Sequence, residues 1–293
     1  MLAQINTIDK SYWQWQGHNI AFTVQGEGIP IVLLHGFGAS IGHWRKNIPV
    51  LAGHNYRVYA LDLLGFGSSA KPDLPYSMEM WHQLVQDFWA EHIQTPALWI
   101  GNSIGALLAL MVITQTPRLA RGGVLLNAAG GLNHRPEELG FPLKQIMGFF
   151  TNLVASPTTG ELVFRWVRQK ERIRATLREV YCDKTAISDE LVDLLHKPSL
   201  EPGARAVFSR ILTAPPGPRP EELLQDLELP LLVLWGEADP WTPIKGAKIY
   251  QDLTSTKDVT VISLPHTGHC PHDERPEVVN QAILAWLQKF ASH

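Results

Sequence analysis

An apolar run that passes through Gly-x-Ser-x-Gly straight into helix formers constrains this chain more than any other feature. Residues 97–110 read Ala-Leu-Trp-Ile-Gly-Asn-Ser-Ile-Gly-Ala-Leu-Leu-Ala-Leu. A serine held at so abrupt a strand-to-helix turn needs small residues two positions to either side, because neighbouring backbone has to approach there. The helix that follows aims its first amides at negative charge developing beside the serine. In a chain with 23 glycines the five-residue pattern alone says little; the strand and helix around it give it meaning. Ser103 is therefore read as a nucleophile, and the Ile104 amide as one donor to an oxyanion.

The rest of the chain fits the same architecture. Short apolar runs at 19–25, 31–34, 58–63, 98–100 and 123–126 alternate with helix-length stretches, the pattern of a parallel sheet flanked by helices. The runs at 31–34 and 124–126 do not alternate apolar with polar, as expected of strands covered on both faces. The pattern resumes at 231–235 and 259–264 and closes on a helix over 276–290. Between these stretches, residues 131–228 read as helical and proline-punctuated, without strand signals. We expect a core made of 1–130 and 229–293, interrupted by a helical cap over 131–228.

Within that insertion Leu143, Ile146, Met147, Phe150 and Val154 follow helical spacing, and Phe141, Phe149 and Leu153 widen the stripe past one face. Such a helix either packs on both sides or lines a greasy pocket or a membrane. A second helix, over 161–181, mixes Phe164, Trp166, Ile173 and Leu177 with six Arg or Lys residues, among them Arg165, Arg172 and Arg178. A charge run is ordinarily a solvated face; the competing reading is attraction to anionic lipid. Phe149, Phe150 and Trp166 are the candidate pocket residues. Pro215, Pro216, Pro218 and Pro220 mark an extended return to the core.

A free serine is a poor nucleophile, so an imidazole must take its proton and a carboxylate must hold that imidazole in one tautomer. Asp239 follows the run at 231–235, and His269 follows the run at 259–264, giving the chain order Ser, Asp, His. Glu237 rivals Asp239, and His266 and His272 rival His269. Directly after the run at 31–34 stands His35-Gly36-Phe37-Gly38, where the Phe37 backbone amide is expected to be the second oxyanion donor. Asp62 is read as tying down a strand-end loop. His266, His269, Cys270 and His272 raise a zinc alternative, but their spacing matches no common zinc pattern. The seryl machinery calls for no metal and no cofactor, and the elbow lacks the nucleophilic aspartate that dehalogenases and epoxide hydrolases use.

Twenty-five basic against 28 acidic side chains give a net charge of −3, so no nucleic-acid partner is expected. Cys182 and Cys270, the only cysteines, are read as free thiols of a reducing compartment. The opening Met-Leu-Ala-Gln-Ile-Asn has neither signal nor transit character, and no run reaches the length of a spanning helix. The expectation is a cytoplasmic chain whose membrane contact, through the cap, is peripheral.

Several blocks carry a family resemblance: Leu33 to Ser40 with His43-Trp44-Arg45, Tyr59 to Gly67, the elbow itself, Leu125 to Gly130, Asp239-Pro240-Trp241, and Gly268-His269-Cys270-Pro271-His272-Asp273-Glu274. Together they resemble the chlorophyll dephytylase and pheophytinase group of plants and cyanobacteria, hydrolases of the α/β-hydrolase fold. The last block is more telling than the elbow, which many esterases share. The resemblance implies hydrolysis of the ester joining phytol to chlorophyll or pheophytin, with Ser103, Asp239 and His269 as nucleophile, acid and base. It also implies an apolar substrate met at a thylakoid membrane, and the missing transit character points to a cyanobacterial form. A smaller ester, a carbon-carbon bond or mere ligand binding on the same fold are the alternatives.

Overall fold

The computed structural model describes residues 8–133, 153–154 and 156–290. They form an eight-stranded sheet: β1 (Ser11–Trp15), β2 (His18–Gln25), β3 (Ile29–Leu34), β4 (Tyr56–Leu61), β5 (Ala97–Asn102), β6 (Ala120–Leu126), β7 (Leu231–Gly236) and β8 (Val259–Leu264). Their order in space is β1-β2-β4-β3-β5-β6-β7-β8. The β1–β2 and β2–β4 pairs are antiparallel and every other pair is parallel. Seven strands match the apolar runs of the sequence; β1 does not appear among them. Its signal was nonetheless present, since Trp15 and His18 flank a two-residue Gln16-Gly17 loop whose φ values are both positive, the geometry of a tight hairpin turn.

Both faces of the central strands β3, β5, β6 and β7 are buried, which explains the lack of alternation. Val32 and Leu34 of β3 face one core with the helices α2 (Met78–His92) and α3 (Ile104–Gln115), while Ile31 and Leu33 face the other with α1 (Ile48–Ala52) and α8 (Pro276–Leu287). α3 is apolar on every side and buried from Ile104 to Thr114, as a helix central to a layered fold must be. Each Leu it buries is worth roughly 1.5–3 kcal/mol of transfer free energy. α8 runs to Leu287, and the last three residues of the helix read from the sequence form a single 3-10 turn.

Among its described residues the segment 131–228 contains no strand. It holds α4 (Pro157–Val167), α5 (Lys170–Val180), α6 (Asp189–His196) and α7 (Ala204–Leu212). The single helix expected over 161–181 is two helices: Gln169 is extended, with φ −60° and ψ 138°, and serves as the N-cap of α5. That break lets Leu177 and Val180 of α5 join Leu191 and Val192 of α6 in a small apolar cluster of their own, which includes Cys270 from the core. The two ends of the segment meet, since the Leu132 amide donates to the Pro216 carbonyl at 2.7 Å. Most of the helix read over 143–154 lies outside the described residues; Val154 at its end is buried. No helix among the described residues is long and apolar enough to cross a membrane.

Candidate active site

The carboxyl ends of the parallel strands converge on one cavity, where an open α/β sheet usually places its chemistry. Ser103 directly follows β5 and is the N-cap of α3, with φ 56° and ψ −119°, a strained conformation for a residue with a side chain. The flanking glycines make the strain possible. A Cβ on Gly101 would stand 2.1 Å from the Gly105 carbonyl oxygen, and one on Gly105 would stand 2.3 Å from that of Leu34. Backbone bonds fix the turn: the Ser103 amide donates to Leu126 at 3.0 Å and its carbonyl accepts from Ala129 at 3.1 Å.

His269 and Asp239 are joined by a bond of 2.6 Å from Nδ1 to Oδ2. A carboxylate only accepts, so Nδ1 carries the proton and Nε2 keeps its lone pair. Asp239 is buried and accepts from four further donors. The amides of Trp241 and Thr242 reach Oδ1 at 2.8 and 3.1 Å, Asn127 Nδ2 reaches Oδ2 at 2.7 Å, and the Thr242 hydroxyl also bonds Oδ2. Burial pushes its carboxyl up, but the bonds from His269 and Thr242 outweigh burial and hold the acid below its ordinary value. Asn127 is fixed in turn by accepting from the Gly236 amide at 2.9 Å. Ser103 and His269 line the same cavity, and Asn102 next to the serine donates through Nδ2 to the His269 carbonyl at 2.9 Å.

The rival residues go elsewhere. Glu237 and His266 are exposed, and His272 is buried against Trp44 with ring centroids 4.1 Å apart. Among the described residues no group of three or more His, Cys, Asp or Glu side chains is placed to hold a metal ion. Both cysteines are free thiols. Asp62 is fully buried and accepts from the amides of Ile41 and Ser68 at 2.6 and 2.8 Å, so it anchors the loops that follow β3 and β4.

Phe37 and Ile104 both line the cavity beside Ser103, one after β3 and one opening α3. As the first residue of its helix, Ile104 has an amide with no partner one turn back. The loop after β3 is held by His35, whose Nε2 accepts from the Leu63 amide at 3.0 Å, leaving Nδ1–H to donate to Gly36 at 2.8 Å. Burial lowers the His35 pKa, consistent with that neutral tautomer.

The cavity measures about 810 Å³, within the range of small-molecule pockets. Its walls are mostly apolar, with Phe66 from the loop after β4 and Phe164, Leu177, Val180, Val207 and Phe208 from the 131–228 segment among them. Trp166 is not among them, contrary to expectation. Phe164 and Val167 turn inward; Trp166 lies roughly 200° around the helix from Phe164, is 49% exposed, and carries the Arg172 guanidinium 4.1 Å above its ring. Phe149 and Phe150 lie outside the described residues. The sequence reading assigned no role to Asn102, Asn127 or Thr242; Asn127 stood inside one of the blocks that carried the resemblance, which was its only signal.

This sheet, elbow and His–Asp pair are those of an α/β hydrolase. A model of the alpha/beta hydrolase family matches residues 31–282, and the chain belongs to that family. It is 28% identical to the chloroplastic pheophytinase of Arabidopsis thaliana over 89% of its own length, and it spans 62% of that protein. It is 30% identical to the uncharacterized hydrolase YugF of Bacillus subtilis (strain 168), with 88% of this chain and 89% of the other covered. A serine hydrolase involved in carbazole degradation has the same fold, with a TM-score of 0.77, 24% identity, and 96% of this chain and 99% of that one covered.

Proposed function

We propose that this hydrolase is a serine esterase for long apolar esters, and that its substrate is the phytyl ester of chlorophyll or pheophytin. The observation that carries the proposal is a large apolar cavity lined by both Ser103 and a histidine held by a buried carboxylate. In this reading Ser103 attacks the ester carbonyl while His269 Nε2 takes its proton, and the amides of Phe37 and Ile104 hold the oxyanion. Protonated His269 then gives its proton to the departing alcohol, and water repeats the sequence on the acyl-enzyme. The likeness to pheophytinase supports phytol as that alcohol. Apolar walls suit its hydrocarbon chain, which gains about 0.8 kcal/mol for each buried CH₂.

Such a substrate dissolves in membranes. The outer face of α4 exposes Leu162 and Trp166, at 66% and 49%, beside exposed Arg165. These residues support peripheral contact with an anionic bilayer through the insertion. The decisive experiment incubates the protein with chlorophyll a or pheophytin a in detergent and follows phytol with chlorophyllide or pheophorbide. Ser103→Ala is expected to abolish release while its circular dichroism stays native. Release unaffected by that change would remove Ser103 as nucleophile. Turnover of short acyl esters with none of either pigment would make the chain a general carboxylesterase, and no labelling by a fluorophosphonate would make it a binder.

A further inference from the structure

The end of α5 is fastened to the loop that carries the base. The His269 amide donates to the Val180 carbonyl at 2.8 Å. Glu274 accepts the Gly268 amide on one carboxylate oxygen and the Asp183 amide on the other, each at 2.8 Å. The Tyr181 hydroxyl donates to Asp273 at 2.9 Å and accepts from His43 Nε2 at 2.8 Å. The contact is tight: a Cβ on Gly268 would stand 2.0 Å from the Val180 carbonyl oxygen. Glu274, Asp273 and Tyr181 are all buried, so water does not compete for these bonds. On its other side the same helix faces the cavity, because Ile173, Leu177 and Val180 are part of its wall. One stretch of chain therefore touches whatever fills the cavity and also holds the catalytic imidazole.

We infer that Glu274 is a positioning residue for His269, the centre of a latch through which an apolar chain seated against Leu177 and Val180 sets the place of the base. Chain occupancy then raises turnover as well as affinity. A displacement of the Val180 carbonyl carries the His269 amide with it, and about 1 Å of misplacement at a reacting centre costs on the order of a hundredfold in rate. The inference rests on the serine-esterase reading and not on which long-chain ester is used.

The test compares kcat and KM of the full chain across 4-nitrophenyl esters from acetate to laurate, for wild type, Glu274→Gln and Gly268→Ala. A glutamine offers one oxygen and one amide nitrogen, so it cannot accept both backbone amides. The Gly268 change crowds both the Val180 carbonyl, at 2.0 Å, and Glu274 Oε2, at 2.9 Å, and so strains the same latch while leaving the carboxylate in place. Wild-type kcat is expected to climb about tenfold along the series, and in both variants that climb falls below about threefold while KM still drops with chain length. A purely structural role would lower kcat by one common factor for every ester. That parallel loss, or a wild-type kcat indifferent to chain length, overturns the inference.

Circular dichroism and a thermal melt establish folding before the kinetics, and Tyr181→Phe, which removes one hydroxyl, replaces any variant that does not fold. Hydrogen exchange reads the coupling without turnover. Dodecanol is expected to protect residues 265–274 in wild type and not in Glu274→Gln; no protection in wild type also overturns the inference. If no ester is cleaved, the esterase reading fails and the exchange experiment still decides the latch.

Discussion

Replacing Asp239 by asparagine tests whether the acid acts by fixing a tautomer. The new amide can place its nitrogen at the position of Oδ1 or of Oδ2. At Oδ1 it would face two backbone amides, those of Trp241 and Thr242, and neither can turn into an acceptor. At Oδ2 it would face Asn127, the Thr242 hydroxyl and His269. There the hydroxyl can rotate and the imidazole can move its proton, so only Asn127 remains donor against donor. Each unrelieved buried clash costs about 1–3 kcal/mol, so one clash wins over two and the nitrogen goes to Oδ2. His269 must then accept through Nδ1 and carry its proton on Nε2, where it cannot take the proton of Ser103. The expected loss in kcat is on the order of 10⁴-fold, about 5.5 kcal/mol of transition-state stabilisation, as in the corresponding change of a Ser-His-Asp enzyme on an unrelated fold. Asp239→Ala leaves the imidazole free to choose its tautomer but unheld, and is expected to lose a similar amount, on the order of 10⁴-fold. Initial rates on 4-nitrophenyl butyrate at pH 8 measure both. An asparagine variant within about tenfold of wild type would refute the tautomer argument.

Acid should unfold the protein partly through His43. Burial lowers its pKa to about 4 against some opposition from Asp273, so between pH 6.5 and 4 the unfolded chain binds a proton that the folded chain does not. Stability present above that window is lost as pH falls through it, by roughly 3 kcal/mol from this residue. Buried His272 is lowered further and acts in the same direction; urea unfolding at pH 7 and pH 4.5 reads the loss, and equal stabilities would contradict it. Gly105→Ala puts a methyl 2.3 Å from the Leu34 carbonyl oxygen and is expected to cost at least about 3 kcal/mol, seen as a lowered Tm; an unchanged melt would mean that the elbow can widen. The double change Leu162→Glu and Trp166→Glu is expected to weaken co-sedimentation with anionic vesicles about tenfold without altering hydrolysis of a soluble ester; undiminished binding would move the membrane face elsewhere.

The elbow around Ser103 and the sheet were legible because their signals are local. A serine on a strand-to-helix turn needs Gly101 and Gly105 within two residues of it, and a strand buried on both faces must be apolar throughout, as at 31–34. β1 has a local signal too, the Gln16-Gly17 turn with both φ values positive. Other features depend on contacts between residues far apart in the chain. Whether 161–181 makes one helix or two turns on the apolar cluster shared with α6 and Cys270, and Trp166 faces outward because Phe164 and Val167 take the inner side. Nothing near Asn127 in sequence reveals that it grips an aspartate 112 positions away, nor does Asn102 reveal its bond to His269, 167 positions on.

By itself, then, the sequence determined the layered α/β architecture, the Gly-x-Ser-x-Gly elbow and the chain order of Ser103, Asp239 and His269. Periodicity and tight turns are written in adjacent residues. The tertiary structure decided which donors surround Asp239, which residues of the 131–228 segment meet the cavity, and that the Gly268 to Glu274 block clasps the end of α5. Those are meetings of distant segments, fixed only when the whole core has closed around its buried polar groups and each has found a partner.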